Sequence, residues 1–192
     1  RHLHIGDRRQ RQNVYKRQAD KGFNIFFDIK FHDIPNTVAH SILSFRDYPI
    51  NLLTVHISGG MSMLISAREA AHAIKSKIIG VSLLTSLDQK DIKRVFFNDT
   101  QKVADNLFDL AKEAKMDGIV CSAHELKYAM TNIPKLLKIV PGIRLSSNSD
   151  DQKRVMSPAE ALDLGANHLV IGRPITESRH PNAELEKILE TL

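Results

Sequence analysis

Six apolar runs alternate strictly with stretches of helical hydrophobic spacing, and this alternation limits the fold more than any other feature of the sequence. Unbroken apolar runs are typical of parallel strands that are covered on both faces. Alternation of such strands with helices predicts a parallel sheet with right-handed crossovers. Both an open doubly wound sheet and a closed eight-stranded barrel fit the pattern. The runs predicted as strands are 23–27, 52–57, 78–84, 118–121, 137–140 and 168–171.

Capping signals place several of the helices between these runs. Ser122 and Glu125 have the spacing of a capping box. Ser157 and Glu160 repeat that spacing, with Pro158 at the first helical position. Gly165 is predicted to end the helix that Ser157 begins. Further helices are predicted at 37–45, 63–74 and 183–189, and one long helical stretch carries Val103, Leu107, Leu110 and Ala114 on a single stripe.

Charged residues gather where the first predicted strand ends. Asp28 and Lys30 are two residues apart, so in a strand both side chains point to the same face, which we expect to be the interior. Asp33 follows, and Pro35 indicates that a helix is about to begin. Buried charges must be paired, and coupled charges are commonest at sites that do chemistry. The sequence therefore predicts a reactive site at this strand end.

Polar residues at the ends of the other strands favour the closed barrel, whose active site collects side chains from many strand ends. Six strand–helix units are two short of eight, and we expect the other two to belong before Ala19.

The net charge of +5 comes entirely from residues 1–18, which hold six Lys or Arg residues and one Asp. The rest of the chain is neutral, so the composition does not indicate a nucleic-acid-binding face. Residues 1–18 show no hydrophobic period, and residues 14–18 resemble a translated library adapter. We interpret 1–18 as an artefactual or disordered segment; a basic arm that binds acidic partners is the alternative.

The single cysteine, Cys121, excludes an internal disulfide bond and favours a reducing cytoplasm. No run of about 20 apolar residues is present, so no membrane helix is predicted.

From Gly22 to Leu192 the sequence resembles the bacterial type of orotidine 5′-monophosphate decarboxylase. The resemblance implies a (β/α)8 TIM barrel, here incomplete because the first two strands are missing, with residues 19–192 as a partial decarboxylase domain. It also implies a cytoplasmic homodimer that converts orotidine 5′-monophosphate to uridine 5′-monophosphate without cofactor or metal. The motifs that carry it are 28–37, 55–60, 83–86, 120–123, 140–144, 151–152 and 170–174.

The resemblance further implies a role for each matching residue. Lys30 is expected to protonate C6 of the pyrimidine, and Asp28 to lie against the departing carboxylate while holding Lys30 in its charged form. Asp33 and Thr37 are expected to reach into the active site of the partner subunit. The 5′-phosphate is expected at Gly172, Arg173, Arg144 and Gln152, and the base at Thr85 and Ser86.

The sequence departs from the family pattern at its beginning. Family members carry an Asp at the end of the first barrel strand and a Lys at the end of the second, and neither strand is found here. We therefore expect a truncated chain with impaired turnover. Two alternatives remain: an Mg²⁺-dependent enzyme similar to 3-keto-L-gulonate 6-phosphate decarboxylase, which shares the acid–x–Lys–x–x–acid pattern, or an inert fragment that only binds a nucleotide phosphate.

Overall fold

The computed structural model describes residues 14–143 and 156–192. Within these ranges six strands form one parallel sheet, and their spatial order is their order along the chain. That order is the order of a (β/α) barrel, and the described strands form an open, half-barrel sheet. The strands are β1 (Ile25–Phe31), β2 (Ile50–His56), β3 (Lys77–Val81), β4 (Gly118–Val120), β5 (Leu137–Pro141) and β6 (His168–Val170).

Helices follow the strands, as the alternating pattern predicted. Residues 14–20 form a helix, α1, that precedes β1. A short 3-10 helix, Ile57–Gly59, directly follows β2. The others are α2 (Pro35–Leu43), α3 (Met61–Ala73), α4 (Gln89–Phe96), α5 (Thr100–Glu113), α6 (Ala123–Asn132), α7 (Pro158–Asp163), α8 (Arg173–Thr176) and α9 (Pro181–Glu190).

The two faces of the sheet have different surroundings. Leu53 pairs with Ile78 across β2 and β3, and both belong to the main hydrophobic core with residues of α2, α3 and α5. Because side chains alternate along a strand, the neighbouring residues Thr54 and Ile79 lie on the opposite face, the inner face of a barrel. The residues of the inner face are thus separated from the core beneath the helices.

Both predicted capping boxes are confirmed. The backbone N–H of Ser122 donates to Glu125 Oε2 at 2.7 Å, and Ser157 forms the equivalent bond to Glu160 at 2.9 Å. Gly165 has φ +95°, a left-handed conformation that glycine adopts without steric cost, at the end of α7.

The predicted helical stretch with Val103, Leu107 and Leu110 on one stripe is confirmed as α5, and a separate helix, α4, precedes it. Asp88 caps α4 and Asp99 caps α5 through hydrogen bonds from backbone N–H groups. Phe97 adopts a left-handed conformation that ends α4. Local caps therefore divide a segment whose hydrophobic spacing is nearly continuous.

Helix α1 contains residues 14–18, the last part of the segment 1–18 that we interpreted as artefactual or disordered. The ring of Tyr15 packs edge-on against Phe27 of β1 with centroids 5.5 Å apart. Residues 14–18 are thus helical, and the division of the chain at residue 18 stays a prediction. No helix in the described ranges is long and apolar enough to span a membrane.

Candidate active site

Asp28 and Lys30 form an ion pair at the carboxyl end of β1. Lys30 Nζ lies 2.5 Å from Asp28 Oδ2. The side chains are 36% exposed for Lys30 and 42% for Asp28, so the pair opens to solvent instead of lying in the core. The predicted pairing is confirmed, and its exposure leaves room for a ligand to touch both charges.

The pair lies within β1 as predicted, but the strand is irregular at this point. Phe27 pairs with Leu53 and Phe31 with Val55, so three residues of β1 lie opposite the single residue Thr54 of β2. Lys30 within this bulge has φ +55°. Bulges of this kind redirect side chains and are common beside active sites.

Thr54 is a site residue that the sequence analysis missed. Its side chain is fully buried, and its hydroxyl donates to Asp28 Oδ1 at 2.9 Å. The hydroxyl oxygen of Thr54 also accepts a hydrogen bond from the backbone N–H of Lys30, at 2.8 Å. The available signal was one hydroxyl residue inside the apolar run 52–57, but pairing with the charged segment became visible only in three dimensions.

Asp33 and Thr37 lie beyond the strand end and are exposed. Asp33 Oδ1 accepts the backbone N–H of Ile34 at 2.7 Å, at the start of α2. No ion pair joins Asp33 to Lys30 in the described parts of the chain. Ile34, which lies between Asp33 and Thr37 in the sequence, is 65% exposed.

Two histidines adjoin the ion pair. The rings of His32 and His56 lie 5.3 Å apart, and His56 ends β2. Burial lowers the pKa of His56, and the nearby charges of His32 and Lys30 lower it further, while Asp28 opposes them. A neutral imidazole is therefore favoured next to the ammonium group.

The remaining predicted site residues follow other strands of the parallel sheet. Thr85 and Ser86 are exposed in the loop after β3. Gly172, which caps α8, and Arg173, its first residue, are both exposed after β6. Because the strands are parallel, these loops lie at the carboxyl ends of the strands, as the ion pair does. Arg144 and Gln152 lie outside the described residues.

The fold agrees with the results of comparison with known proteins. Residues 6–188 match the model of the orotidine 5′-phosphate decarboxylase / HUMPS family. The chain belongs to this family. The match begins inside the segment 1–18.

Several similar proteins are named orotidine 5′-phosphate decarboxylase. The chain is 46% identical over 175 residues to orotidine 5′-phosphate decarboxylase of Ehrlichia chaffeensis, which covers 89% of this chain and 75% of the relative. It is 42% identical to the Saccharophagus degradans enzyme, over 88% of this chain and 73% of that protein. The crystal structure of the Lactobacillus acidophilus decarboxylase superposes with a TM-score of 0.79 at 32% identity, covering 93% of this chain and 79% of that one.

Cys121 is not part of the reactive site of this decarboxylase family member. It is 1% exposed, and burial raises the pKa of its thiol to about 12. A thiol with this pKa is protonated at neutral pH and is a poor nucleophile. Cys121 is a small residue of the hydrophobic core.

Proposed function

We propose that this protein decarboxylates orotidine 5′-monophosphate to uridine 5′-monophosphate in pyrimidine biosynthesis, with Lys30 and Asp28 at the reacting centre. The observation that carries the proposal is the half-exposed ion pair at the end of β1, in a chain of the orotidine 5′-phosphate decarboxylase family. The enzyme is a carboxy-lyase, and we propose that it acts in the cytoplasm.

Loss of CO2 leaves a carbanion at C6 of the pyrimidine, with no neighbouring group that can delocalise the electron pair. An ammonium group fixed near C6 stabilises this charge as it develops. The same group then donates a proton to C6, which completes the product. Lys30 is the proposed donor, and the carboxylate of Asp28 beside it favours the charged form of the amine.

Asp28 has a second proposed role. Its carboxylate would lie next to the carboxylate of the bound substrate, and like charges at short distance repel. That repulsion ends when CO2 leaves, so it lowers the barrier to the step. The exposure of Asp28 provides a surface at which the substrate can make this contact.

Phosphate binding is proposed for Gly172 and Arg173. A Cβ added to Gly172 would meet no protein atom within 4 Å, so the space beside its backbone is open to a ligand. A guanidinium group offers paired donors that match the geometry of a phosphate. Binding energy from the remote phosphate can then support chemistry at C6. Arg144 and Gln152 are proposed to complete this subsite, and Thr85 and Ser86 to face the base.

A shared-site homodimer is proposed from the segment that follows β1. Asp33 and Thr37 are exposed on either side of the apolar Ile34, which is 65% exposed. Apolar side chains are buried in the core of subunit interfaces, and polar residues surround them. The two polar residues would enter the partner's active site while Ile34 lies in the interface.

We also propose that the sheet closes into an eight-stranded barrel in the active enzyme. Among the described strands, β1 pairs only with β2 and β6 only with β5, which leaves two sheet edges. Parallel sheets are normally covered or closed. Strands that pair with β1 and β6 would remove both edges.

The test is formation of uridine 5′-monophosphate from orotidine 5′-monophosphate by the full-length protein, with and without a metal chelator. Turnover that survives the chelator supports the proposal. Turnover that requires Mg²⁺ would favour the sugar-phosphate decarboxylase. Turnover of 3-keto-L-gulonate 6-phosphate alone would favour it as well. Binding of the product without turnover would indicate an inert nucleotide-binding fragment.

A further inference from the structure

The hydroxyl of Thr54 connects the backbone and the side chains of the ion pair in a closed cycle. The backbone N–H of Lys30 donates to Thr54 Oγ1 at 2.8 Å, and this hydroxyl donates to Asp28 Oδ1 at 2.9 Å. Asp28 Oδ2 in turn accepts from Lys30 Nζ at 2.5 Å. Thr54 is fully buried, whereas both charged residues are partly exposed. The rigid element of the cycle is therefore Thr54 on β2.

The bulge explains why a hydroxyl is needed at this position. Three residues of β1 lie opposite Thr54, so the regular ladder of backbone hydrogen bonds is interrupted there. A hydroxyl accepts and donates at once. When it accepts the Lys30 N–H, its own hydrogen is directed to Asp28. Valine has the same shape but can make neither bond, whereas serine can make both.

We propose that Thr54 is a positioning residue for the decarboxylation, a role that rests on the function proposed above. It fixes the Asp28 carboxylate, and it holds the left-handed backbone of Lys30 that directs the ammonium group towards that carboxylate. Thr54 acts through these two residues and does not touch the substrate. Displacement of catalytic groups by a fraction of an ångström is enough to slow an enzyme strongly.

The experiment compares Thr54→Val, which removes the hydroxyl, with Thr54→Ser, which keeps it, in the full-length protein. Thr131→Val is the matched control, because within the described residues the exposed Thr131 hydroxyl donates to the carbonyl of Lys127 in its own helix. The readouts are kcat and KM for orotidine 5′-monophosphate and the hydrogen-exchange rate of the Lys30 amide by NMR.

Thr54→Val is expected to lower kcat about 10- to 100-fold, the effect of losing a hydrogen bond to a charged group. Its KM is expected to stay within about threefold of the wild-type value. The lost hydrogen bond between Thr54 and Asp28 orients the reacting groups and does not contribute to substrate binding. The Lys30 amide should exchange faster in Thr54→Val than in wild type. Thr54→Ser should recover most of kcat and the amide protection, and Thr131→Val should behave as wild type.

Wild-type turnover by Thr54→Val would overturn the positioning role, as would equal loss of kcat in the Val and Ser variants. If Thr54→Val does not fold, Thr54→Ala replaces it in the comparison with Thr54→Ser, and the same outcomes decide. If the wild-type protein forms no uridine 5′-monophosphate, the proposed function and this role both fall. A difference in amide exchange would then mark a purely structural contact.

Discussion

Lys30 Nζ lies 2.5 Å from Asp28 Oδ2 across a strand bulge in which the backbone of Lys30 itself is left-handed, with φ +55°. A non-glycine residue in this conformation costs about 1–2 kcal/mol. The strained residue and the proposed proton donor are therefore the same residue. Strain of this kind is often found where function requires a side chain to point in one direction.

Two substitutions of Lys30 separate its proposed chemical role from its backbone strain. Both Lys30→Ala and Lys30→Gly should remove nearly all turnover, because neither supplies an ammonium group. Lys30→Gly should be more stable than Lys30→Ala by about 1 kcal/mol, because glycine adopts positive φ without a Cβ clash. Steady-state kinetics and thermal unfolding measure the two effects.

Lys75→Gly is the control for this comparison, since exposed Lys75 also has positive φ, +61°, but lies after α3. It should gain stability and keep full activity. Retention of a tenth of the activity by Lys30→Ala would rule out the role of proton donor.

Arg173→Ala should weaken binding of uridine 5′-monophosphate far more than binding of uridine. Loss of a bidentate, charge-assisted contact to a phosphate costs about 2–3 kcal/mol, or roughly two powers of ten in Kd. Calorimetric titration with both ligands measures the difference, with Arg94→Ala on the exposed surface of α4 as control. Equal weakening of both ligands would place Arg173 away from the phosphate.

Mixing the inactive full-length variants Lys30→Ala and Asp33→Ala should restore activity if active sites are shared across a dimer. A heterodimer would contain one site with both defects and one site with neither. The measurement is turnover of the mixture after subunit exchange has been verified with labelled subunits. Continued inactivity despite exchange would argue that one chain builds each site.

His56→Gln should reduce the loss of stability in mild acid. Burial, followed by the charges of His32 and Lys30, holds the pKa of folded His56 below its ordinary value of 6.5. The unfolded chain therefore takes up this proton at higher pH than the folded one. This contribution to the free energy of unfolding is complete above about pH 6.5 and is lost as the pH falls towards the folded-state pKa.

Denaturant unfolding of wild type and His56→Gln between about pH 5 and 8 tests this expectation. His40→Gln, an exposed substitution on α2, is the control for the His-to-Gln change itself. A pH dependence unchanged by His56→Gln would show that other groups cause the acid sensitivity.

The proposed closure of the sheet predicts the behaviour of residues 19–192 expressed alone. Apolar side chains are exposed on both edge strands, with Ile29 of β1 at 42% and Val170 of β6 at 38%. Open, apolar parallel edges favour aggregation. We expect 19–192 to aggregate and to lack activity, and a strand–helix–strand segment from the Ehrlichia chaffeensis relative, joined before residue 19, to restore both properties.

Size-exclusion chromatography, thermal unfolding and turnover measure this outcome. A soluble, active protein of residues 19–192 that unfolds cooperatively would show that the described sheet needs no further strands.

The sequence was sufficient to predict those features of the fold that depend on local residue patterns. Unbroken apolar runs predicted all six strands, and the Ser122 and Ser157 capping boxes were predicted with their partners. Local signals failed at strand ends: β3 stops at Val81, although the apolar run continues to Leu84. Pairing with a neighbouring strand, which the sequence does not display, decides where a strand ends.

Within the candidate site, the sequence by itself determined which residue types occur together: an acid, a lysine and a second acid between a strand and a helix. The tertiary structure decided their geometry. Strand alternation predicted that Asp28 and Lys30 share a face, but a bulge opposite Thr54 and a left-handed Lys30 bring them together. The physical reason is that Thr54 lies 24 residues from Lys30 along the chain. Such a hydrogen bond exists only after β1 and β2 have paired.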